Sequence, residues 1–325
     1  MAYIVQSVTD ADVSKTYWKN VRFLFAITDD IDSIINKLLE VERWKDAVEL
    51  VYNNLESQLF DDERIASILH EAIMTGKVIQ SGIEFIYITT ILKHLDKSEN
   101  PSVVGPVVRI EFILYDALKH RMNIYKSRLM KELMNNPAQM MEIITMLYKD
   151  DEGKTIADGV SDDNHVLLST CAFNILFDLH RSPCTDDDGN VNETALKEYI
   201  KELLRLAKER GYVKATEIVT GDLLGCLPRD EHYPHDVLCE LVEQLASDTV
   251  DTHIRLRIIN NRGVTIRAYN EGGAQERALV SEFSIYKDKA KFKSPRLTRI
   301  FDDIIADYNN QAYREDVEAK LAELG

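Results

Sequence analysis

The stretch NETALKEYIKELLRLAKERG, residues 192–211, shows most clearly which kind of fold the sequence encodes. Its apolar residues recur every three or four positions, a spacing that places them on one face of an α-helix. Polar residues precede this pattern at 192–194 and Gly211 follows it, as is typical of the two ends of a helix. We therefore predict a helix that ends at Arg210. Its apolar face comprises Leu196, Tyr199, Ile200, Leu203, Leu204 and Ala207.

The same helical spacing recurs along the chain, for example at residues 44–55, 65–73, 237–245 and 297–308. No segment shows sustained alternation with the two-residue period of a β-strand. The segment at residues 40–56, EVERWKDAVELVYNNLE, resembles a tetratricopeptide-type helix, but no period of about 34 residues repeats along the chain. We therefore predict an all-α fold without a substantial sheet. Its arrangement is expected to be an irregular α-solenoid of helix pairs, similar to tetratricopeptide or HEAT repeats.

Two polar interruptions are candidates for a domain boundary. Residues 98–106, SENPSVVGP, contain two prolines and a glycine, which end helices. Residues 149–164, KDDEGKTIADGVSDDN, are acidic, contain glycine and lack the apolar period. We place the boundary at the second interruption. This gives an N-terminal helical repeat region at residues 1–150 and a C-terminal helical region at residues 151–325.

Charge and composition narrow the class of protein. The chain has 39 Lys and Arg residues against 55 Asp and Glu residues, and this formal net charge of −16 repels the phosphates of nucleic acids. The four cysteines do not form the framework of a disulfide-rich protein. The N-terminus lacks the features of a signal peptide, and the longest apolar stretch, at residues 83–92, is about half a membrane span. We expect a cytoplasmic protein that binds neither nucleic acid nor membranes.

One arginine-rich segment contrasts with this acidic background. It is RLRIINNRGVTIRAYNEGGAQER, residues 255–277. In a functional interpretation, its arginines bind a carboxylate or phosphate group, and the glycine pair at 272 and 273 lets backbone N–H groups approach the ligand. The segment would then be an electropositive binding site. The candidate binding residues are Arg255, Arg257, Arg262, Arg267, Glu271, Gln275, Glu276 and Arg277.

A structural interpretation of the same segment remains open beside the functional one. Gly263 would end a helix in the left-handed conformation, Glu271 and Glu276 would pair with arginines, and Gln275 would bind loop carbonyls. Alternating charges near a helix terminus commonly build such a local network. We expect the network, in which Arg262 is well placed to reach the loop at Glu271.

Metal and cofactor sites are not expected. Cys226, His232, His235 and Cys239 have zinc-binding side chains, but their spacing, C-x5-H-x2-H-x3-C, differs from the standard structural zinc patterns. The acidic loop from Asp186 lacks the glycine and glutamate positions of an EF-hand. Motifs of nucleotide-binding, serine-hydrolase and zinc-protease sites are missing from the sequence. We therefore predict no metal, no cofactor and no catalytic residue of a familiar type.

The C-terminal part of the sequence carries a family resemblance. It includes NPAQMMEIITMLYKDD from residue 136, DDDGNVNETALKEYI from residue 186, and the long block NNRGVTIRAYNEGGAQER at residues 260–277. This half resembles the C-terminal helical region of large, mostly uncharacterised bacterial proteins, some of them linked to anti-phage defence. The resemblance implies a helical part of a longer protein, and it implies no activity or catalytic residue.

Together these observations favour a non-catalytic protein-binding or scaffolding module built from helical repeats. One alternative is an accessory or sensor part of a bacterial anti-phage defence assembly. Another alternative is an enzyme of unfamiliar type that uses the loop from Arg262 to Arg277. A protein partner is expected, and the chain is a candidate for part of a larger polypeptide or complex.

Overall fold

The all-α prediction is confirmed in the computed structural model of the chain. The structure describes residues 11–21, 31–57, 59–74, 82–154, 162–263, 266, 268 and 271–324, without the side chains of residues 82–84, 162–164 and 322–324. Sixteen α-helices lie in these ranges, and no β-strand does. One isolated antiparallel bridge joins Thr185 to Val191. None of the helices in the described part of the chain is long and apolar enough to cross a membrane.

The first compact unit of the chain comprises residues 1–132. Its core comes from the apolar stripes of successive helices, and the stripes predicted at residues 44–55 and 65–73 are largely buried there. Leu55 lies beyond its helix, in a short turn of 3₁₀-helix. The helices are α1 (Ala11–Asn20), α2 (Ile31–Glu40), α3 (Trp44–Asn53), α4 (Asp62–Met74), α5 (Gly82–Leu95), α6 (Pro101–Ile113), α7 (Tyr115–Leu118) and α8 (Arg128–Asn135), which continues into the second unit.

Helix α6 begins where the sequence suggested an interruption. The side chain of Asn100 accepts a hydrogen bond from the backbone N–H of Ser102, and Pro101 occupies the first turn. The second proline of this interruption, Pro106, lies inside the helix together with Gly105. Helix α6 therefore begins within the predicted interruption and continues through its second proline.

A buried carboxyl group on α6 contacts the start of α8. Glu111 is only 1% exposed, and its Oε2 accepts a hydrogen bond from the backbone N–H of Leu129 at 2.7 Å. Burial raises the pKa of Glu111 to about 7, although the backbone N–H groups of Leu129 and Arg128 oppose this shift. Of the two nearest surface charges, Asp96 raises this pKa further and Lys131 lowers it.

The raised pKa of Glu111 predicts a pH-dependent stability. The folded chain holds this proton more tightly than the unfolded chain, so the contribution of Glu111 to stability decreases as pH rises from about 4.5 through about 7. Between pH 5 and pH 7 the loss is about 2 kcal/mol. The free energy of unfolding, measured in urea, should therefore favour Glu111→Gln over the wild type more at pH 7 than at pH 5. A difference that does not change with pH would contradict the prediction.

The second compact unit comprises residues 133–325. The unit boundary thus lies well before the predicted one at residue 150, because α9 packs against helices that follow the acidic loop. The helices are α9 (Pro137–Leu147), α10 (Asp162–Phe177), α11 (Glu193–Arg210), α12 (Val213–Leu224), α13 (Asp236–Leu245), α14 (Asp248–Asn260), α15 (Ala274–Ala290) and α16 (Pro295–Leu324). The stretch NETALKEYIKELLRLAKERG forms α11, which is capped by Asn192 and ended by Gly211 at φ 76°.

Helices α12 and α14 approach each other closely at two glycines. A Cβ atom on Gly221 would lie 2.5 Å from the Cβ of His253, and one on Gly225 would lie 2.7 Å from the Cβ of Arg257. Two polar contacts flank these glycines: Asp222 Oδ1 is 3.2 Å from His253 Nδ1, and Arg257 Nε donates to the sulfur of Cys226 at 3.0 Å. Because the two glycines have no side chains, the chain can pack closely against α14 and the two polar contacts can form.

Helices α15 and α16 form an antiparallel hairpin around aromatic side chains. Phe283 and Tyr308 stack with their ring centroids 5.9 Å apart, and Phe301 packs against Phe283. At the open end of the hairpin the backbone of Gly273 lies against Ala312, where a Cβ atom would come within 2.4 Å of the Ala312 carbonyl oxygen. This hairpin carries much of the predicted arginine site.

Candidate functional site

The first two arginines of the predicted site point to different places. Arg255 and Arg257 lie two positions apart on α14, so the helix directs their side chains to different sides. Arg255 forms an ion pair with Asp307 on α16 at 2.7 Å. Arg257 contacts Cys226 in the turn after α12 and donates to the backbone carbonyl of Leu179. These two residues therefore do not share a site.

Arg262 takes part in a buried ion pair. Its Nη1 lies 2.6 Å from Glu276 Oε1, and the Glu276 side chain has no exposure to solvent. The guanidinium also lies 5.7 Å from the centroid of the Tyr308 ring, and its Nη2 is 3.4 Å from Gln275 Oε1. The Arg262 side chain is itself 16% exposed. This ion pair fixes the start of α15 to the end of α14.

Gln275 and Glu271 complete this network in the loop before α15. Gln275 Nε2 donates to the carbonyl of Ile266 at 3.1 Å and to Glu271 Oε1 at 2.9 Å. Glu271 Oε2 accepts from the backbone N–H of Ala268 at 3.1 Å. The carboxylate that faces Arg262 is thus that of Glu276, whereas Glu271 accepts hydrogen bonds from Ala268 and Gln275.

The last arginine of the segment lies at the surface of the hairpin. Arg277 pairs with Asp316 of α16 at 2.7 Å, and the other oxygen of Asp316 accepts from the backbone N–H of Gly273 at 2.9 Å. The hydrogen bond from Arg277, together with that of Gly273, lowers the pKa of Asp316 below its usual range. Arg267 lies outside the described residues. The described members of the predicted site therefore brace three helices, and each arginine faces an acceptor of its own chain.

The four Cys and His residues considered for zinc are also engaged separately. Cys226 contacts Arg257, and burial raises the pKa of its thiol. His235 Nε2 lies 3.0 Å from the carbonyl oxygen of Pro228, while the His232 side chain is largely exposed. Cys239 is buried in α13. Within the described part of the chain, no group of three or more His, Cys, Asp or Glu side chains is arranged to hold a metal ion.

Helix α10 has a feature that the sequence analysis did not identify. Its buried side, with Cys171, Ala172 and Ile175, belongs to the core, and the helix packs against α9. The opposite side is apolar as well, with Phe173 52% and Phe177 63% exposed. These two rings stack on each other with their centroids 5.8 Å apart. We define the α10 face as the exposed side chains of Val166, Thr170, Phe173 and Phe177.

A signal for this face exists in the sequence. Residues 165–177, HVLLSTCAFNILF, contain no Asp, Glu, Lys or Arg, although a surface helix normally carries charges on its outer side. A helix that is apolar all round is normally buried on all sides. Here one side is covered by the chain itself and the other is exposed to solvent.

An open groove of about 380 Å³ runs beside the α10 face. Its floor includes Leu147 and Tyr148, and the pKa of Tyr148 is raised by burial and by the nearby Asp222. The groove also contains hydroxyl, imidazole and ammonium groups that can form hydrogen bonds to a partner. The remaining lining residues are Lys149, His165, Ser169, Thr170 and Phe173.

Comparisons of the chain with protein-family models, with curated proteins and with solved structures found no match. The resemblance of the C-terminal half to large bacterial proteins thus stays a prediction. Any function must be argued from the surfaces and contacts of this chain.

Proposed function

We propose that the chain is a non-catalytic protein-binding module, and that the α10 face is its docking surface. The observation that carries this proposal is the exposed, charge-free side of a helix whose other side is already in the core. Contiguous exposed apolar patches rimmed by polar groups are typical of protein interaction sites. Isolated exposed apolar residues elsewhere on the chain do not need such an explanation.

The size of the face suggests the strength of binding. With about 200 Å² for a phenylalanine side chain, the exposed parts of Val166, Phe173 and Phe177, together with the adjoining Leu167, add up to roughly 400 Å² of apolar surface. Covering this surface contributes on the order of 10 kcal/mol, which is similar to the cost of association. The hydrogen-bonding groups of the groove then decide which partner binds.

A site-specific crosslinking experiment tests the proposal. With a photoreactive phenylalanine analogue at position 177, we expect illumination of the source cells to give a discrete protein adduct, because the ring would be covered by the partner. The same analogue at position 292, where Phe292 is 90% exposed on the turn after α15, serves as the control and should give none. Adding Phe173→Asp to the first chain should abolish the adduct. Equal adducts at both positions, or none at position 177, would reject the α10 face as the docking surface.

A further inference from the structure

We infer that the partner on the α10 face is the α10 face of a second copy of this chain, packed antiparallel about a two-fold axis. This inference rests on the proposed function, because it names the partner of the same surface. Three properties of the face support it: the order of its large and small side chains, its lack of charge, and its area.

Large and small side chains are ordered so that the face fits itself. Val166 and Thr170 precede the midpoint of the face, between residues 171 and 172, and Phe173 and Phe177 follow it. In an antiparallel pair with its axis between residues 171 and 172, Val166 faces Phe177 of the second copy and Thr170 faces its Phe173. Each bulky ring then meets a small side chain, which allows two helices to interlock closely. A parallel pair would instead place ring against ring and leave space at the small residues.

The charge distribution also favours a second copy on this face. The whole chain has a net charge of −16, so two copies repel each other across most of their surfaces. No Asp, Glu, Lys or Arg occurs between Asp163 and Asp178, so the α10 face brings no like charges together.

The area of the face predicts a weak but specific dimer. Two faces of roughly 400 Å², together with their polar rims, bury about 1,000 Å² in total, which is near the lower limit of specific interfaces. We therefore expect a dissociation constant on the order of micromolar.

Sedimentation of the purified full chain tests this inference. The mass should rise from that of one chain, 37.2 kDa, toward twice this value over the micromolar range. Phe177→Asp should weaken the dimer at least about 100-fold, because it would bury a charge against the apolar side chain of Val166 of the second copy. Phe292→Asp, at an exposed ring outside the face, should leave it unchanged. Circular dichroism and a thermal melt of both variants show whether each one folds as the wild type does.

Cysteine crosslinking tests the antiparallel register. Chains with Thr170→Cys mixed with chains with Phe173→Cys should form an intermolecular disulfide under mild oxidation, because these positions face each other. Chains with Val166→Cys mixed with chains with Thr170→Cys are the matched control and should crosslink poorly. The wild type, with its four native cysteines, gives the background.

The outcomes separate this inference from the proposed function. A monomer at all concentrations, with an adduct of a different protein at position 177, would overturn the dimer and leave the docking surface standing. A monomer without any adduct would overturn both. A dimer that Phe177→Asp does not weaken would place the contact elsewhere, and crosslinks favouring the control pair would overturn the antiparallel register.

Discussion

Arg262→Met is expected to lower the free energy of unfolding by about 3 kcal/mol. The substitution removes the cation that lies 2.6 Å from the carboxylate of Glu276, a side chain without solvent exposure. Removing the Glu276 carboxylate from water costs free energy, and without the arginine the ion pair no longer offsets this cost. The contact with the Tyr308 ring is lost in the same substitution. Urea unfolding at constant pH measures the change.

Arg277→Met is the matched control for this prediction. It removes the ion pair between Arg277 of α15 and Asp316 of α16. Because Arg277 is 52% exposed, this loss should lower the free energy of unfolding by less than about 1 kcal/mol. Adding Glu276→Gln to Arg262→Met should recover part of the lost stability, because it removes the buried charge. Equal effects of the two arginine substitutions would mean that burial adds nothing to the Arg262 pair.

Gly221→Val is expected to destabilise the second unit by about 3 kcal/mol or more. Its Cβ atom would meet the His253 Cβ at 2.5 Å and the backbone carbonyl oxygen of Val250 at 2.7 Å, so α12 and α14 must separate. Separation also lengthens the contact between Asp222 and His253, now 3.2 Å. A thermal melt of the variant, compared with the wild type, measures the loss.

Gly105→Ala provides a control at a glycine without a close helix neighbour. Gly105 lies inside α6 directly before Pro106, and no atom of another helix lies within 4 Å of the position that its Cβ would take. Alanine should therefore change the free energy of unfolding by less than about 1 kcal/mol, because its lower backbone entropy cost in a helix is opposed by contact of its Cβ with the ring of Pro106. If Gly221→Val melted at the wild-type temperature, the close approach of α12 and α14 would not be a constraint on the fold.

The helices themselves could be predicted from the sequence because most of them have one apolar side. The stripe of α11 and its stop at Gly211 lie where the spacing and the cap residues placed them. Helix α10 differs, since apolar residues on all sides leave no stripe to assign to the core. Which side stays exposed depends on the neighbours that pack against the helix, and the sequence pattern does not contain this information.

The arginine segment shows a second limit of sequence reasoning. Its charges indicated a local network, but spacing along the chain could not decide which carboxylate Arg262 meets. Glu276 becomes its partner because the start of α15 lies beside the end of α14. The partners of Arg255 and Arg257 are distant in the sequence, on α16 and in the turn after α12. Such partners follow from helix packing and leave no local signal.

The close contact of α12 with α14 also limits how this sequence can change over time. Gly221 faces His253 and Gly225 faces Arg257, and the same spacing of four residues separates the two members on each helix. A larger residue at position 221 is compatible with the fold only if α14 recedes, because its Cβ would meet the backbone carbonyl of Val250 as well as the Cβ of His253. Positions 221 and 225 should therefore stay glycine in any family of sequences that keeps this contact.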